Sequence, residues 1–171
     1  MRIAVLNRIF APTGGGAERY SIALVEQLAQ RHEIHVFAQK ITHQWPGVHY
    51  HRVPQFLERP RWVNQLWFAL ASWWLTRRGF DVVHAHENTW HGQIQTVHVV
   101  PIRYSLLKDR TGWAKALRWL KIATSPRLLV YLALESARYR VQGGRRLIVL
   151  AASSLEPAMT HSYPRALGAC V

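Results

Sequence analysis

Short apolar runs alternate along the chain with longer stretches in which apolar residues recur every three or four positions. The runs are rich in Val, Ile and Leu, which is typical of strands buried on both faces of a parallel sheet. Strands and helices that alternate in this way predict a single α/β domain with a Rossmann-like, doubly wound, mostly parallel sheet flanked by helices. The predicted strands are residues 3–6, 34–38, 48–53, 82–85, 94–99 and 147–151.

Three of the intervening stretches have the period of a helix. They run from residue 17 to about 30, from Pro60 to near Gly79, and onward from Pro126. In the second helix the repeating apolar residues are Trp62, Leu66, Leu70, Trp73 and Trp74. Its most apolar part, 66–75, is too short to span a bilayer. Residues 167–171 read as the start of a further strand, which suggests that the sequence is part of a longer protein.

The chain is strongly basic and rich in tryptophan, which bears on its binding partners. The 171 residues include 22 Lys and Arg against 9 Asp and Glu, a formal net charge of +13, and there are eight tryptophans. Such a surface attracts nucleic acid, anionic lipid or phosphorylated small molecules, and basic residues mixed with Trp are typical of membrane interfaces. The alternative is a solvated basic face over an ordinary core. No nucleic-acid-binding motif is present, so nucleic acid is not an expected partner. The single cysteine, Cys170, excludes an internal disulfide.

A glycine loop connects the first strand to the first helix. Gly14, Gly15 and Gly16 follow the strand at 3–6 and precede the helix that begins near residue 17. Glycines allow close approach of a ligand to the backbone, and the free N–H groups of a helix start bind anions. The loop is therefore a candidate phosphate site, and the alternative is a flexible connection without a ligand. It is not the dinucleotide fingerprint, and the second strand ends in 37–40, Phe-Ala-Gln-Lys, without an acidic residue to hold a ribose.

Polar side chains gather where two later strands end. His84 and His86 alternate along one strand and so point to the same face, and Glu87, Asn88 and His91 follow its end. Ligands bind at that edge of open α/β sheets. His84, His86 and His91 are also potential zinc ligands, but their spacing fits no standard zinc motif, so no metal is predicted.

His98 follows another predicted strand, just before Pro101. It is expected to lie over the same edge as His86 and the glycine loop, where an imidazole can act as a donor, an acceptor or an acid–base group. The alternative is a histidine whose ring is satisfied by a backbone carbonyl.

Five segments together resemble the N-terminal domain of family-4 retaining glycosyltransferases of the GT-B fold. They are 1–6, 14–19, 81–86, 96–98 and 147–153, which stand in the same order as in that family. Members have two Rossmann-like domains, of which the first holds the acceptor and the second holds most of the nucleotide-sugar donor. The resemblance implies that residues 1–171 are the first domain, ending before the donor-binding domain, and that this fragment alone is inactive.

The resemblance also implies roles for individual residues. Gly14, Gly15 and Gly16 would lie beside the donor diphosphate, and His98 would be the catalytic-site histidine near the transferring sugar. Glu87, Asn88 and His86 fall where acceptor contacts occur. The implied activity is a retaining hexosyltransferase without a cofactor, with a UDP- or GDP-linked sugar donor and a glycan or lipid-linked acceptor, in cell-envelope glycan or lipopolysaccharide synthesis.

Members with lipid-linked acceptors dock on the inner leaflet through this domain, which would explain the basic, Trp-rich composition. The implied location is cytoplasmic and peripheral on the inner face of the cytoplasmic membrane. The candidate headgroup contacts are Arg77, Arg78, Lys115, Arg118 and Lys121, and the candidate inserting residues are Trp113 and Trp119. The alternative function is a membrane- or polyanion-binding α/β module without catalysis.

Overall fold

A six-stranded parallel sheet runs through the centre of the molecule. The computed structural model describes residues 1–13, 15–140 and 146–169. Its strands are β1 (Arg2–Leu6), β2 (Ile9–Phe10), β3 (Glu33–Ala38), β4 (Lys40–Ile41), β5 (Val48–Arg52), β6 (Val82–Ala85), β7 (Ile94–Val97) and β8 (Leu147–Leu150). Its α-helices are α1 (Gly16–Leu28), α2 (Arg61–Thr76), α3 (Ile102–Leu107), α4 (Gly112–Ala123), α5 (Pro126–Arg138) and α6 (Glu156–Ser162).

The strand order makes this a doubly wound sheet, as the sequence predicts. The order is β5-β3-β1-β6-β7-β8, and every neighbouring pair is parallel. The chain begins in the middle at β1, moves outward through β3 to β5, and then returns to β6 and moves outward on the other side. β1 and β6 are therefore neighbours whose connections lead in opposite directions. In open α/β sheets such a switch point leaves a crevice at the carboxyl ends of the strands, where ligands bind.

Alternate residues of the central strands pack against opposite layers. Ile3 and Val5 join the cluster on the α1 side, whereas Ala4 and Leu6 join the cluster that contains Phe68 of α2. All four strand residues are buried. Full burial of a Val, Leu or Phe side chain contributes roughly 1.5–3 kcal/mol, so both helices are held to the sheet by the β1 sequence itself.

Helix α2 presents a different face to the core from the one its apolar repeat suggests. Leu70, Trp73 and Trp74 are 40–59% exposed. Its buried residues are Asn64, Gln65, Phe68, Ala69, Ser72 and Thr76. The polar members can be buried because they have partners; for example, Asn64 exchanges two hydrogen bonds of 2.7 and 2.9 Å with Gln39. A periodicity that counts only apolar residues misses this face.

Three other expectations need correction. Residues 164–169 form a 3-10 helix rather than the start of a strand, and Cys170 and Val171 lie outside the described residues. α3 and α4 occupy a stretch for which the sequence predicts no element. β5 and β8 each end one residue earlier than predicted, and β7 ends two residues earlier. Within the described ranges, no helix combines the length and the apolarity that a membrane crossing requires.

Candidate active site

Three imidazoles form a column at the carboxyl ends of β6 and β7. His86, which follows β6, and His98, which follows β7, are joined by a 3.0 Å contact between Nδ1 of the first and Nε2 of the second. His84, in β6, stacks on His86 with ring centroids 4.4 Å apart and is hydrogen-bonded through Nε2 to Thr96 Oγ1 at 2.7 Å. The structure thus brings together two residues that lie twelve positions apart in the sequence. We call His84, His86 and His98 the histidine column.

Burial keeps the column neutral. It lowers the pKa of His84 to about 4 and holds the pKa of His86 well below its usual range, and the neighbouring imidazoles and Arg138 act in the same direction. The pKa of His98 is also lowered, by burial and by Arg138, while the carboxylate of Glu18 opposes the shift. Near neutral pH these rings therefore act through hydrogen bonds rather than through charge.

Arg138, at the end of α5, brings a buried positive charge to the same edge. Its Nε donates to Gln95 Oε1 at 3.1 Å and its Nη2 donates to the carbonyl of Thr96 at 2.6 Å. Within residues 1–13, 15–140 and 146–169 no carboxylate forms an ion pair with it. Its charge acts on the histidine column, where it lowers the pKa of all three rings. Sequence reasoning missed this residue because it stands within a generally basic stretch.

The glycine loop lies in the connection from β1, the strand next to β6 in the sheet, to α1. Gly14 lies outside the described residues; Gly15 is the N-cap of α1 and Gly16 its first residue, and no side chain caps this helix start. A hydrogen bond of 2.5 Å from Asn7 Nδ2 to Ser21 Oγ ties the loop after β1 to the helix. The N–H groups of the first turn are therefore presented at the switch point, where the helix dipole favours an anion.

Tyr20 connects α1 to the histidine column. Its ring lies 5.4 Å from the ring of His98 and 6.0 Å from that of His86, measured between centroids. Glu18, two residues earlier in α1, is close enough for its charge to influence the pKa of His98. The sequence does not predict Tyr20 or Glu18 as site residues. Their position in the first turns of the helix after the glycine loop was the signal available in the sequence.

The predicted acceptor residues occupy the loop after β6, in two different settings. Glu87 Oε1 accepts a hydrogen bond from the backbone N–H of Arg8 at 3.2 Å and lies 3.7 Å from Arg8 Nε, so this pair bridges the loops on either side of the switch point. Asn88 faces α5 instead, where its Nδ2 donates to the carbonyl of Tyr131 at 3.4 Å. The Oδ1 atom of Asn88 is buried without a hydrogen-bond partner among the described residues.

His91 does not complete a metal site with His84 and His86. Both its ring nitrogens are buried without a partner in the described part of the chain, and burial, with Arg146 nearby, lowers its pKa to about 4. Among the described residues, three His, Cys or carboxylate donor atoms lie within 4.8 Å of one another at one place, on β3 and β5.

The predicted membrane-facing residues lie at two places, just after the end of α2 and on α4. Arg77 and Arg78 directly follow α2, and the guanidinium of Arg77 lies 3.5 Å from the ring centroid of Trp74. α2 and α4 both pack against α5. The α4 members are Trp113, Lys115, Arg118, Trp119 and Lys121.

A parallel doubly wound sheet with a glycine loop, a helix start and polar side chains at its switch point defines a Rossmann-like domain with a candidate phosphate site. The family model described as Glycosyltransferase Family 4 matches residues 14–133. The chain belongs to glycosyltransferase family 4.

Solved structures agree with this assignment at the level of the fold. WaaG, a glycosyltransferase involved in lipopolysaccharide biosynthesis, superposes with a TM-score of 0.77 at 15% sequence identity, over 95% of this chain and 42% of that chain. Sucrose-phosphate synthase from Thermosynechococcus elongatus superposes with a TM-score of 0.62 at 14% identity, over 95% of this chain and 45% of that chain. The chain thus spans less than half the length of these two proteins. No curated protein matches it in sequence.

Proposed function

We propose that this chain is the acceptor-side half of a retaining glycosyltransferase, which transfers a hexosyl group from a UDP- or GDP-linked sugar to a hydroxyl of a glycan or lipid-linked acceptor. The observation that carries the proposal is the 3.0 Å contact of His86 with His98 beside the uncapped start of α1, at the switch point of the sheet. Membership of glycosyltransferase family 4 supports it.

The departing nucleoside diphosphate is the charge that this site must stabilise. In transfer, the acceptor oxygen bonds to the anomeric carbon on the face from which the diphosphate departs, so the configuration is retained. The bond from that carbon to the diphosphate oxygen breaks, and the proton of the acceptor hydroxyl passes to the departing diphosphate. The N–H groups of Gly15 and Gly16, aided by the dipole of α1 and the charge of Arg138, face the developing negative charge. A fixed donor of this kind contributes about 10²–10³-fold in rate. The donor-binding half supplies the remaining cationic contacts.

His98 orients the transferring sugar in this proposal. A neutral imidazole can donate a hydrogen bond to a sugar hydroxyl or accept one from it. The contact with His86 holds the orientation of the His98 ring and couples the tautomers of the two rings, because one nitrogen must donate and the other accept. His86 is thus a positioning residue as well as an acceptor-side contact. Glu87 and Asn88 complete the acceptor side, with Glu87 held in place by Arg8.

Transfer assays on the full-length enzyme with UDP- and GDP-sugars test this function. His98→Ala should lower kcat at least about 100-fold, because a positioned group at the reacting sugar is lost. Gly16→Ala should raise the donor KM with little change in Tm, because a Cβ there meets open space in the free protein but stands where the diphosphate approaches. His43→Ala is the control, because the ring of His43 pairs with Glu26 at 2.7 Å rather than with the histidine column. Wild-type kcat in His98→Ala would disprove the role of the site.

A second candidate function rests on the outward face of α4. Trp113, Leu117 and Leu120 are 85%, 64% and 61% exposed, and their spacing places them on one side of the helix. Ile122 is the residue of α4 that is buried. An apolar face of this kind with cations beside it is typical of helices that lie in a membrane interface. The cations of α4 are Lys115, Arg118 and Lys121, of which Lys121, four residues after Leu117, lies beside this face.

The helices around α4 form surfaces that suit an amphipathic lipid. One groove is mostly apolar and is lined by residues such as Leu107, Trp119, Ile122 and Leu129. A neighbouring basic pocket is lined by Arg103, Arg110, Lys115 and His161, with Asp109 at its side. We propose peripheral association with the anionic inner leaflet of the cytoplasmic membrane through this surface. Vesicle binding without any transfer activity in the full-length protein would favour the non-catalytic membrane-binding alternative.

A further inference from the structure

A second histidine cluster lies away from the candidate active site, on β3 and the edge strand β5. The two strands pair in parallel with His35 opposite His49 and Phe37 opposite His51. Because side chains alternate along a strand, Glu33 and His35 share a face of the sheet with both of these β5 histidines. One carboxylate oxygen of Glu33 and one ring nitrogen each of His35 and His49 lie within 4.8 Å of one another.

His35 is the buried centre of this cluster. Its Nε2 lies 2.9 Å from Glu33 Oε1, and its Nδ1 lies 2.9 Å from His51 Nε2. His49 stacks on it with ring centroids 4.7 Å apart. Histidines that bind metal ions characteristically use one ring nitrogen for the metal and hold the other in a hydrogen bond, which fixes the ring and its tautomer. His35 has this arrangement, with Nε2 toward the carboxylate and Nδ1 held by His51.

We propose that Glu33, His35 and His49 bind a divalent transition-metal ion, with zinc the expected occupant, and that His51 positions His35. Two imidazole nitrogens and one carboxylate oxygen form a donor set that zinc accepts, and a fourth position remains for water. Zinc bonds of about 2.0–2.2 Å place tetrahedral ligand atoms roughly 3.3–3.5 Å apart. Glu33 and His49 are exposed, so rotation of their side chains can bring the donor atoms to this spacing.

The position of the site indicates a structural role. Glu33 begins β3, at the amino ends of the strands, whereas the histidine column follows the carboxyl ends of β6 and β7. An ion held by His49 of the edge strand and by two residues of β3 would tie that strand to the sheet. Binding to the folded state alone would then stabilise the domain in proportion to the logarithm of the free zinc concentration.

Arg2 is the natural competitor for this site. Its Nε lies 3.1 Å from Glu33 Oε1, and its guanidinium lies 5.5 Å from the ring centroid of Phe80. A cation on the same carboxylate opposes an incoming metal ion. The Arg2 side chain is 49% exposed and is therefore able to move aside. Removing it should strengthen metal binding, which a merely structural histidine cluster would not show.

Titration of the tag-free protein with Co²⁺, followed by visible absorption, and with Zn²⁺, followed by thermal shift, tests the site. We expect one ion per chain and a Tm that rises with zinc. His49→Ala and Glu33→Gln should each weaken binding by at least about tenfold, and His51→Ala by about 10–100-fold, the usual effect of losing an outer-shell partner. Arg2→Ala should tighten it. His43→Ala is the matched control, because His43 pairs with Glu26 at 2.7 Å, outside the cluster.

Two outcomes would overturn the proposal. One is the absence of saturable binding at millimolar zinc. The other is binding that survives His49→Ala but is lost in His98→Gln, which would assign the ion to the histidine column. His49 is exposed, so His49→Ala should fold as the wild type does. Circular dichroism of the variant checks this and separates a loss of binding from unfolding. Neither outcome depends on transfer activity.

Discussion

His84 and His91 are single residues whose burial ties the stability of the domain to pH. Burial is the main reason that the pKa of each lies at about 4, below the value of roughly 6.5 for a histidine in an unfolded chain. Between these values the unfolded chain binds more protons than the folded chain. The free energy of unfolding must therefore fall as the pH falls through this window, and these two residues contribute no pH dependence above it.

We predict that the free energy of unfolding falls on acidification from pH 7 to pH 5. Each buried neutral histidine contributes a slope of up to about 1.4 kcal/mol per pH unit in the free energy of unfolding. His91→Gln should flatten this slope, because the variant has no imidazole to protonate at that position. Chemical denaturation measured at several pH values provides the test.

His161→Gln serves as the comparison variant, since that side chain lies on the surface of α6. It should keep the slope of the wild type. Equal slopes for His91→Gln and the wild type would contradict the assignment of this pH dependence to His91.

The position of a single residue could be predicted from the sequence when it depends only on where a strand ends. His86 and His98 each follow an apolar run, and the parallel sheet brings them to within 3.0 Å of each other. The Glu33–His35–His49 cluster depends instead on which strand pairs with β3 and in what register. The signal available in the sequence was the alternation of polar residues along 33–35 and 49–51. It indicates a shared cluster only when β5 is known to pair with β3.

Among the elements, α4 is the helix for which we propose contact with a membrane. We expect the protein to co-sediment with anionic vesicles at low salt and to lose part of this binding at physiological salt, because headgroup attraction is screened. Trp113→Ser with Leu117→Ser should weaken binding at both salt concentrations, because it removes apolar contact area. Lys115→Gln with Lys121→Gln should chiefly reduce binding at low salt.

The control for α4 is Trp45→Ser, which changes another exposed tryptophan, on the loop before β5. It should leave vesicle binding unchanged. Absence of binding at low salt in the wild type would eliminate the membrane proposal for this helix.

Elements were predictable where their apolar residues face the core. The six strands of the sheet and helices α1, α2 and α5 correspond to apolar runs or repeats in the sequence. α4 was missed because most of its apolar residues face outward, so its pattern does not mark a buried side. The buried face of α2 was missed because it includes Asn64 and Gln65, whose burial depends on hydrogen-bond partners elsewhere in the fold.

At the scale of the whole molecule, the proposed function makes this chain one wall of a cleft, with the donor-binding half as the other. We expect this chain on its own to bind nucleotide sugars very weakly and to show no transfer, because the contacts to the donor would come mainly from the donor-binding half. Isothermal calorimetry on the chain and on the full-length protein, with the same donor, compares the two directly. Micromolar affinity in the chain alone would place the principal donor contacts within these residues and contradict the prediction.

The doubly wound class of the fold was predictable from the alternation of strands and helices, and the family from the order of its motifs. The strand order was not, since it depends on how connections cross the sheet rather than on any local pattern.

The central position of β1 has a consequence for how the protein is made. β1 leaves the ribosome before the other strands of this sheet, and in the finished sheet it is paired on both sides, with β3 and with β6. The N-terminal half-sheet of β1, β3 and β5 can assemble while the remainder is still being translated. Until residues 82–85 emerge, however, the second edge of β1 stays open, and the nascent chain is exposed to wrong pairing throughout that interval.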